Sequence, residues 1–468
     1  MSSGVFAAMV DAQEQGDASG SAKNVILMIG DGMGYNQVDA ASMYENGTSY
    51  HQLNAEPVAS QVYQQFPVQV AMATFSVDGN GTGQELTEEN VSEGYDPQAA
   101  REDFTYVSRK NEEPYDRYTD SAAAGTAMAS GVRTKNDVVG QSADGEDLPT
   151  VLEGAAENGK STGLAVSVQI CHATPAVFAA HNEDRGNYEE ISQEMIQESP
   201  LDVLMGAGHP DFDNNNCPYP ETYAKDHQYV GGEDLWEDIK EGVAGAGDTP
   251  WTLVESREEF QALAAGETPE RVLGVVQAYE TLQHERDGDA LAASYEVPLN
   301  SGVPTLQEMT RASLNILGKN EEGMFLMIEG GAIDWACHAN RLGRLIEEQS
   351  DFNRSVEAVV EWVETNSSWE ETLVIVTADH ECGYLLGPGS GPEAQPMRQP
   401  LLNNGQGQMP GMEWFSPYHT NDLVPLYAKG AGASLFEEAA TEEDPTRGRY
   451  MNNTYHGEGL FEAQGTQA

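Results

Sequence analysis

Short apolar runs recur along the whole chain of 468 residues, separated by polar or helix-like stretches. Runs of four to eight residues that are rich in β-branched side chains are typical of strands buried on both faces. This pattern predicts strands at 23–30, 162–170, 201–208, 271–276, 324–328, 373–376 and 424–428. Helical spacing of apolar residues predicts helices at 150–159 and 304–317. The alternation of strand and helix favours a parallel sheet with right-handed connections.

The fold class predicted from this alternation is α/β, with a central, mostly parallel sheet and surface insertions. We find neither an internal repeat nor a Pro- or Ser-rich linker, so one domain with insertions is the simplest organisation. Its predicted limits are 23–435, between an N-terminal tail at 1–22 and an acidic C-terminal segment at 436–468. Stretches without a sustained period predict insertions at about 78–118, 209–270 and 384–418, the last as a long loop or small cap.

The charge of the chain is strongly negative. Lys and Arg total 23 against 77 Asp and Glu, which gives a formal net charge of −54. Such a surface repels a nucleic-acid backbone, so we expect no nucleic-acid binding. The acidic residues are spread along the chain, which favours a solvated acidic shell, as in a salt-adapted (halophilic) protein, over one disordered acidic tail. We therefore expect high ionic strength to stabilise the fold by screening repulsion among these charges.

Membrane and disulfide signals are weak. No apolar run is long enough to span a membrane, and residues 1–22 lack the basic start and apolar centre of a signal peptide, so we expect a mature, soluble form. Four cysteines in so long a chain do not predict a disulfide framework. We expect Cys171, Cys337 and Cys382 to be small buried apolar side chains, and Cys217 to be exposed.

Metal-ligand side chains follow the predicted strand at 324–328. Glu329 comes directly after it, and Asp334 and His338 follow at a spacing of four residues, which places both on one face of a helix. A solvated helix face is the more common explanation of such spacing alone. A second set of ligand types after the next strand strengthens the case for a metal.

That second set is Asp379 and His380, just beyond the strand at 373–376. Adjacent residues of a regular strand point to opposite faces, so both can bind one ion only if the backbone turns there. Asp31 likewise follows the strand at 23–30. Because open parallel sheets place their chemistry at the carboxyl ends of strands, these residues together predict a metalloenzyme. Histidine and carboxylate ligands together suit Zn²⁺. The oxygen ligands of Asp31, Glu329 and the Thr174 hydroxyl form a harder set that suits Mg²⁺.

Ser121 precedes an Ala-rich run of high helix propensity. A serine at such a boundary is usually only a helix N-cap. The positive end of a helix also stabilises an oxyanion or phosphate, so Ser121 could instead be a nucleophile. The position alone favours the N-cap.

Seven motifs, in order, resemble those of the alkaline phosphatases. They lie at 30–34, 119–127, 172–175, 180–185, 329–334, 377–380 and 419–420. The resemblance runs from residue 24 to about 428, and is poor in the three predicted insertions. It implies a three-layer α/β/α sandwich with a catalytic domain at 23–435 and a crown-like loop at 384–418. It also implies hydrolysis of phosphate monoesters through a phosphoserine, with an alkaline optimum and a broad substrate range.

The resemblance further implies two zinc ions and one magnesium ion. One zinc would be held by Asp334, His338 and His419. The other would be held by Asp379, His380 and Asp31. Asp31 would also reach the magnesium, whose other protein ligands would be Thr174 and Glu329. Ser121 would be the nucleophile, and Arg185 would bind phosphate through a planar two-donor fork.

Two neighbouring positions vary within that family. His172 stands where some members have Asp, and Trp335 where others have Lys or His. A neutral histidine removes a negative charge, which would weaken magnesium and let zinc compete. Trp335 offers no charge to phosphate, so the product would leave more readily. Both differences are equally well explained as packing substitutions without kinetic effect.

Three alternatives remain. A phosphodiesterase or a sulfatase could use a related core. A diesterase is expected to lack a clamp such as Arg185, and a sulfatase needs a modifiable cysteine where Ser121 stands. A non-catalytic metal- or phosphate-binding protein would need no nucleophile.

The family resemblance implies small phosphate monoesters as substrates, a homodimer, and a periplasmic or secreted location. The other histidines, including His209 and His284, are expected to be ordinary surface or structural residues.

Overall fold

The computed structural model describes residues 21–52, 56–77, 95–108, 118–245, 249–266 and 268–466. Residues 1–20 of the predicted tail and most of the predicted insertion at 78–118 lie outside the described residues.

Fifteen strands lie within the described ranges. They are β1 (Asn24–Gly30), β2 (Val68–Ala73), β3 (Ser161–Gln169), β4 (Val203–Ala207), β5 (Thr252–Val254), β6 (Val272–Val275), β7 (Met324–Gly330), β8 (Thr372–Thr377), β9 (Glu381–Cys382), β10 (Leu385–Leu386), β11 (Glu413–Trp414), β12 (His419–Thr420), β13 (Val424–Gly430), β14 (Glu442–Asp444) and β15 (Gly448–Asn452). All seven predicted strands are present, and each of them begins and ends in the structure within two residues of its predicted limits.

Eleven of these strands form one central sheet, in the order β14-β15-β2-β13-β8-β1-β7-β3-β4-β6-β5. The run from β8 to β5 is parallel throughout. Antiparallel pairing occurs between β13 and both of its neighbours and between β14 and β15. The prediction of a mostly parallel sheet is therefore confirmed.

Helices flank the sheet. They are α1 (Tyr35–Asn46), α2 (Pro97–Glu102), α3 (Ser121–Ser130), α4 (Val151–Glu157), α5 (Ala173–Ala176), α6 (Tyr188–Gln197), α7 (Glu233–Lys240), α8 (Arg257–Ala264), α9 (Leu306–Leu317), α10 (Ala332–His338), α11 (Leu342–Asn366), α12 (Ser434–Ala439) and α13 (Asn453–Gln464). One group packs as α1, α8, α9, α10 and α11, and another as α3, α4, α5, α12 and α13. The α/β/α class predicted from sequence is confirmed.

The three strands at the centre of the sheet are buried along their whole length. Every residue of β1, β7 and β8 is buried, as expected for strands covered by helices on both faces. Their register aligns the carboxyl ends, because Ile29 pairs with Glu329 on one side and with Thr377 on the other. Residues that follow these strands must therefore meet at one edge of the sheet.

The C-terminal segment from 436 onward is built into this fold. β15 pairs with β2 in parallel and extends the sheet, and α13 packs on α3. The contact between the helices is close, because a Cβ added to Gly457 would lie 2.3 Å from the backbone nitrogen of Gly131. The helix that begins at Ser121 is therefore supported from behind by the last helix of the chain.

The four cysteines lie as the sequence predicts. All are described and carry free thiols, with Cys171, Cys337 and Cys382 buried and Cys217 exposed. Among the described helices, none combines the length and apolar content needed to cross a bilayer.

Salt should stabilise this acidic protein. We expect the melting temperature to rise by several degrees between low and molar NaCl, because each kcal/mol of screened repulsion shifts Tm by about 2 °C in a large domain. Differential scanning fluorimetry measures this shift. KCl should raise the melting temperature as NaCl does. Sucrose carries no charge, so it should not stabilise the protein by screening. A melting temperature indifferent to both salts would contradict the interpretation of the acidic surface.

Candidate active site and metal centre

Three carboxylates meet at the carboxyl ends of the central strands. Asp31 follows β1, Glu329 lies at the end of β7, and Asp379 follows β8; all three are fully buried. Gly32 permits the approach of the next element, since its φ is 70° and a Cβ there would lie 2.9 Å from the Cα of Asp334. The sheet register and one glycine thus bring together groups that are about 300 residues apart in sequence.

Asp334, His338 and His419 form the first group of ligand types. Asp334 and His338 lie on α10, and His419 lies on β12, which pairs with β9. The Nε2 atom of His338 lies 3.2 Å from Oδ2 of Asp334 and 2.9 Å from Nε2 of His419. The Nε2 atom of His419 lies 3.5 Å from Oδ1 of Asp334.

The other ring nitrogens of these two histidines are held by the backbone. Nδ1 of His338 donates to the carbonyl of Pro417 at 2.6 Å, and Nδ1 of His419 donates to the carbonyl of Thr119 at 2.9 Å. These hydrogen bonds place a proton on Nδ1 of each ring and direct both Nε2 atoms toward each other and Asp334. Histidine ligands of metals are oriented in this way, so the group fits a cation such as Zn²⁺.

The second group surrounds His380. Its Nε2 atom lies 3.2 Å from Oδ2 of Asp379, 3.5 Å from Oδ1 of Asp31 and 3.2 Å from Oγ of Ser121. The backbone does turn here, because β8 ends at Thr377 before both residues. The ring of His380 stacks on that of His419, with centroids 3.6 Å apart, so the first two groups are immediate neighbours.

The third group combines Asp31 and Glu329 with His172. One ligand atom from each lies within 4.8 Å of the others, and all three side chains are buried. Thr174, on α5, contributes a buried hydroxyl beside Glu329. The sequence placed His172 beside the ligands, whereas the structure places its imidazole within ligand distance. A ring nitrogen makes this group less purely an oxygen site than the sequence suggested.

Several buried carboxylate oxygens at the site have no hydrogen-bond donor among the described residues. Within the described part of the chain, neither oxygen of Asp31 or Glu329 has a hydrogen-bond partner, and the same holds for Oγ1 of Thr174, Oδ1 of Asp334 and Oδ2 of Asp379. A buried anionic oxygen without a partner is strongly unfavourable. Cations at these groups would satisfy the orphaned oxygens, so the donor sets fit bound metal ions.

The pKa values of these buried carboxyl groups are shifted for the same reason. Burial, reinforced by Asp379, raises the pKa of Glu329 to about 8. Burial, reinforced by Asp334, raises the pKa of Asp379 to about 6. Burial and then Asp379 also raise the pKa of Asp31 well above its usual range. Several carboxylates crowded in one buried site favour protonation unless a cation compensates them.

Asp334 differs from these carboxylates. Burial opposes its ionisation, but the imidazoles of His338 and His419 outweigh burial and hold the pKa of Asp334 well below its usual range. In return, Asp334 overcomes the effect of burial and raises the pKa of His338 to about 9. The first group therefore already contains its own partial charge compensation.

Ser121 is the first residue of α3. Asp120 is the N-cap, and its side chain accepts a hydrogen bond from the backbone nitrogen of Ala123 at 2.9 Å. Ser121 is thus not the cap, which removes the more common explanation of a serine at this boundary. Its hydroxyl lies at the positive end of the helix and beside His380, where a negative charge on oxygen is stabilised.

Arg185 lies across from this helix terminus. Its NH1 atom donates to Oδ2 of Asp120 at 2.9 Å, and its NH2 atom lies 3.3 Å from Nε2 of His172. Asp120 therefore positions the guanidinium, which sequence reasoning did not foresee. The signal was available, because a helix beginning at Ser121 makes Asp120 its natural N-cap.

These groups line one cavity of about 460 Å³. Its walls are formed by Ser121, His172, Arg185, His284, Glu285, Asp334, Trp335, His338, Ala339 and His419. Seven of the site residues predicted from the sequence line this cavity. The other five, Asp31, Thr174, Glu329, Asp379 and His380, belong to the three groups of ligand types that contact these lining residues. The position of His284 and Glu285 in the cavity wall was not predicted; the sequence suggested an ordinary surface or structural residue at 284, and the structure places His284 in the interior. Both residues lie in a stretch with no periodic pattern, which gave no signal.

His209 has protein partners in place of a metal. Its Nε2 atom lies 2.6 Å from Oε1 of Glu255, and its Nδ1 atom accepts a hydrogen bond from the backbone nitrogen of Asp211. Both ring nitrogens are used, so His209 is a structural residue, as expected.

Several alkaline phosphatases are similar to this chain in sequence. The chain is 30% identical over 372 residues to alkaline phosphatase 4 of Bacillus subtilis (strain 168), which covers 78% of this chain and 63% of the relative. It is 28% identical over 444 residues to the alkaline phosphatase of Escherichia coli (strain K12), with coverage of 88% and 82%. The chain thus spans less than two thirds of the length of the B. subtilis relative.

Solved structures share the fold. The alkaline phosphatase from the Antarctic bacterium TAB5 matches with a TM-score of 0.62 and 23% identity, covering 96% of this chain and all of that one. The Thermus thermophilus alkaline phosphatase matches with a TM-score of 0.63 and 21% identity, covering 99% and 96%. The sequence model of the alkaline phosphatases matches residues 82–458. Since this match takes in most of the chain, from the helix of Ser121 to β12 and His419, the chain belongs to the alkaline phosphatase family.

Proposed function

We propose that this chain hydrolyses phosphate monoesters through a covalent phosphoserine at Ser121, with two zinc ions and one magnesium ion. The observation that carries the proposal is the position of the Ser121 hydroxyl. It lies at the N-terminus of α3, 3.2 Å from His380, and opens into the cavity that Arg185 also lines. A nucleophile, a cation-binding cluster and a guanidinium fork on one cavity suit a phosphoryl group.

The metal assignments follow the three groups of ligands. Asp334, His338 and His419 would hold one zinc. Asp379, His380 and Asp31 would hold the other. Asp31, Glu329 and Thr174 would hold magnesium, with His172 alongside. When bound, the ions supply positive charge that favours ionisation of an attacking hydroxyl and stabilises a departing oxygen.

The residues of the chain account for two displacements. Ser121 gives its proton to solvent, and its Oγ forms a bond to phosphorus while the bond from phosphorus to the ester oxygen breaks; that oxygen takes a proton from solvent and leaves as the alcohol. Water then gives up a proton and attacks phosphorus, the bond to Oγ breaks, Oγ is protonated again, and inorganic phosphate is released. Arg185 offers two parallel donors to the phosphoryl oxygens in both steps, and Asp120 holds it in place.

The alternatives are distinguished by substrate. We expect hydrolysis of 4-nitrophenyl phosphate at alkaline pH, with kcat/KM about 10³-fold or more above that for bis(4-nitrophenyl) phosphate and 4-nitrophenyl sulfate. The reason is that the cluster and Arg185 together recognise a doubly charged phosphoryl group. A preference for the diester or the sulfate would instead support those rivals, and no turnover of any of the three would support a binding protein.

The ion at the third group depends on His172. The pKa of this imidazole is lowered to about 3 by burial and by Arg185, so it is neutral at working pH and adds no negative charge. We expect His172→Asp to tighten magnesium binding by about tenfold, because a carboxylate is a harder and charged ligand. Magnesium titration of the chelated and zinc-reloaded protein measures this change. Unchanged affinity would indicate that His172 lies outside the site of that ion.

A homodimer and a periplasmic or secreted location complete the proposal, both by analogy with the family. Light scattering after gel filtration tests the first, and fractionation of the cells that make the protein tests the second.

A further inference from the structure

Two residues of the cavity wall are not used by the proposed reaction. His284 and Glu285 line the same cavity as Ser121, and the ring of His284 contacts that of Trp335. The phosphoryl group is accounted for by Ser121, Arg185 and the ligand groups. The remaining wall is therefore free to contact the alcohol part of the substrate.

His284 is buried and only partly paired. Its side chain is 1% exposed, and its ring meets that of Trp335 edge to face at 6.4 Å. Nδ1 lies 3.0 Å from Oε1 of Glu285, a close charge contact, but among the residues that the structure describes neither ring nitrogen has a hydrogen-bond partner of good geometry. A carboxylate beside Nδ1 favours the proton on that nitrogen, which leaves Nε2 as an acceptor. A buried nitrogen without a partner is expected to find one in a ligand.

Glu285 adds negative charge to the same wall. Its side chain is 34% exposed, and the close contact with His284 lowers the pKa of its carboxyl group, so it is ionised at neutral and alkaline pH. NH1 of Arg341 lies 3.6 Å from Oε1 and compensates this charge only in part. The wall thus combines an acceptor nitrogen, a carboxylate and the indole of Trp335.

Each of these three features attracts a cation that donates hydrogen bonds. An ammonium group would donate to Nε2 of His284, pair with Glu285 and lie against the indole of Trp335. We propose that His284 and Glu285 form a subsite for the alcohol part of the substrate, which selects phosphate monoesters of amino alcohols. This inference rests on the proposed phosphatase activity and names the class of substrate that the same cavity takes.

Two substrates of nearly equal size isolate this preference. In 2-aminoethyl phosphate an ammonium group occupies the place of the terminal methyl group of n-propyl phosphate. Their intrinsic reactivities differ, so the informative quantity is how a substitution changes the ratio of their kcat/KM values in the metal-loaded enzyme. We expect Glu285→Gln to lower the ratio of the amine to the propyl ester by about threefold to tenfold. With 2-phosphoglycolate, whose leaving group is anionic, the same substitution should raise kcat/KM.

The chain offers a matched control. Glu255 pairs with the buried His209, and its side chain is also 34% exposed, but this pair lies outside the cavity. Glu255→Gln removes one negative charge from the same acidic protein, so it reports the effect of the general field alone, and we expect the substrate ratio to be unchanged. His284→Gln is the second variant and should lower the ratio in the same direction as Glu285→Gln.

The outcomes separate the two proposals. If the wild-type enzyme hydrolyses neither these esters nor 4-nitrophenyl phosphate, the phosphatase proposal itself fails. If it hydrolyses them, and the ratio is the same in the wild type, Glu285→Gln and His284→Gln, the subsite is refuted while the phosphatase proposal stands. An equal drop in Glu255→Gln and Glu285→Gln would assign the preference to the overall charge of the protein and would also overturn the subsite.

Discussion

Ser121→Ala is expected to lower kcat for 4-nitrophenyl phosphate by at least about 10³-fold, since without the hydroxyl no covalent intermediate can form. The fold should survive, because alanine is a good helix former and Asp120, which remains, is the N-cap of α3. The metal content should also be unchanged, because Ser121 is not needed to hold the ions. Steady-state kinetics and elemental analysis of the same samples measure both quantities.

The same helix supplies the control. Ser130, at the other end of α3, is also buried, and its hydroxyl donates to the carbonyl of Thr126 at 2.7 Å. Ser130→Ala removes a buried serine hydroxyl without touching the cavity, so we expect nearly wild-type kcat. Full activity in Ser121→Ala would rule out the covalent mechanism, whereas equal losses in both variants would point to damage to the helix.

Removal of the metal ions should destabilise the fold, and more strongly as the pH rises. We expect chelation to lower Tm by on the order of 10 °C, because ions bound tightly to the folded state contribute several kcal/mol. The reason for the pH dependence lies in the chelated protein. Burial raises the pKa of Glu329 to about 8, and Asp334 raises that of His338 to about 9.

The sign follows from linkage. A group whose pKa is raised on folding contributes stability below its unfolded pKa and loses that contribution as the pH rises through its folded pKa. Between about pH 6.5 and about pH 8 both Glu329 and His338 lose stability in this way. His172 and His380, whose pKa values are lowered, are neutral in the folded state, and their opposing slope ends by about pH 7.5, where the unfolded histidines have also lost their protons. The difference in Tm between loaded and chelated protein should therefore widen over this interval.

Titratable groups that do not interact with the proposed ligands do not affect that comparison. Burial raises the pKa of Glu348 to about 8, but its charged neighbours are Asp351, Glu347 and Arg286, so it titrates in the loaded and the chelated protein alike and cancels in the difference. Readdition of zinc and magnesium should restore Tm. If chelation left Tm unchanged at both ends of this pH interval, the buried carboxylates without hydrogen-bond donors would not be metal ligands.

The centre of the fold could be predicted because its strands are locally encoded. β1, β7 and β8 are covered on both faces, so each is a continuous apolar run that stands out in the sequence. The edges could not be predicted. β5 has three residues and forms one edge of the sheet, and β15 has five and lies next to the other edge, where it pairs in parallel with β2 from the other end of the chain. Such pairing is a property of the folded chain, not of the local pattern.

The site divides in the same way. Ligand types directly after strands, such as Asp31 and Asp379, could be located because the end of a strand is a fixed point of an α/β sheet. The wall formed by His284 and Glu285 could not, since an irregular segment reaches the cavity only through the tertiary fold. His172 was recognised as a neighbour of the ligands, but its distance from Asp31 required coordinates.

The phosphorylation of Ser121 during turnover is tested most directly by acid quenching. Metal-loaded enzyme is mixed with a phosphate monoester, quenched within one turnover, digested and mapped by mass spectrometry. We predict one phosphoryl group on the peptide that contains Ser121, and none on that peptide in Ser121→Ala. A phosphoryl group on another residue, or rapid hydrolysis by Ser121→Ala without any phosphopeptide, would contradict the covalent phosphoserine.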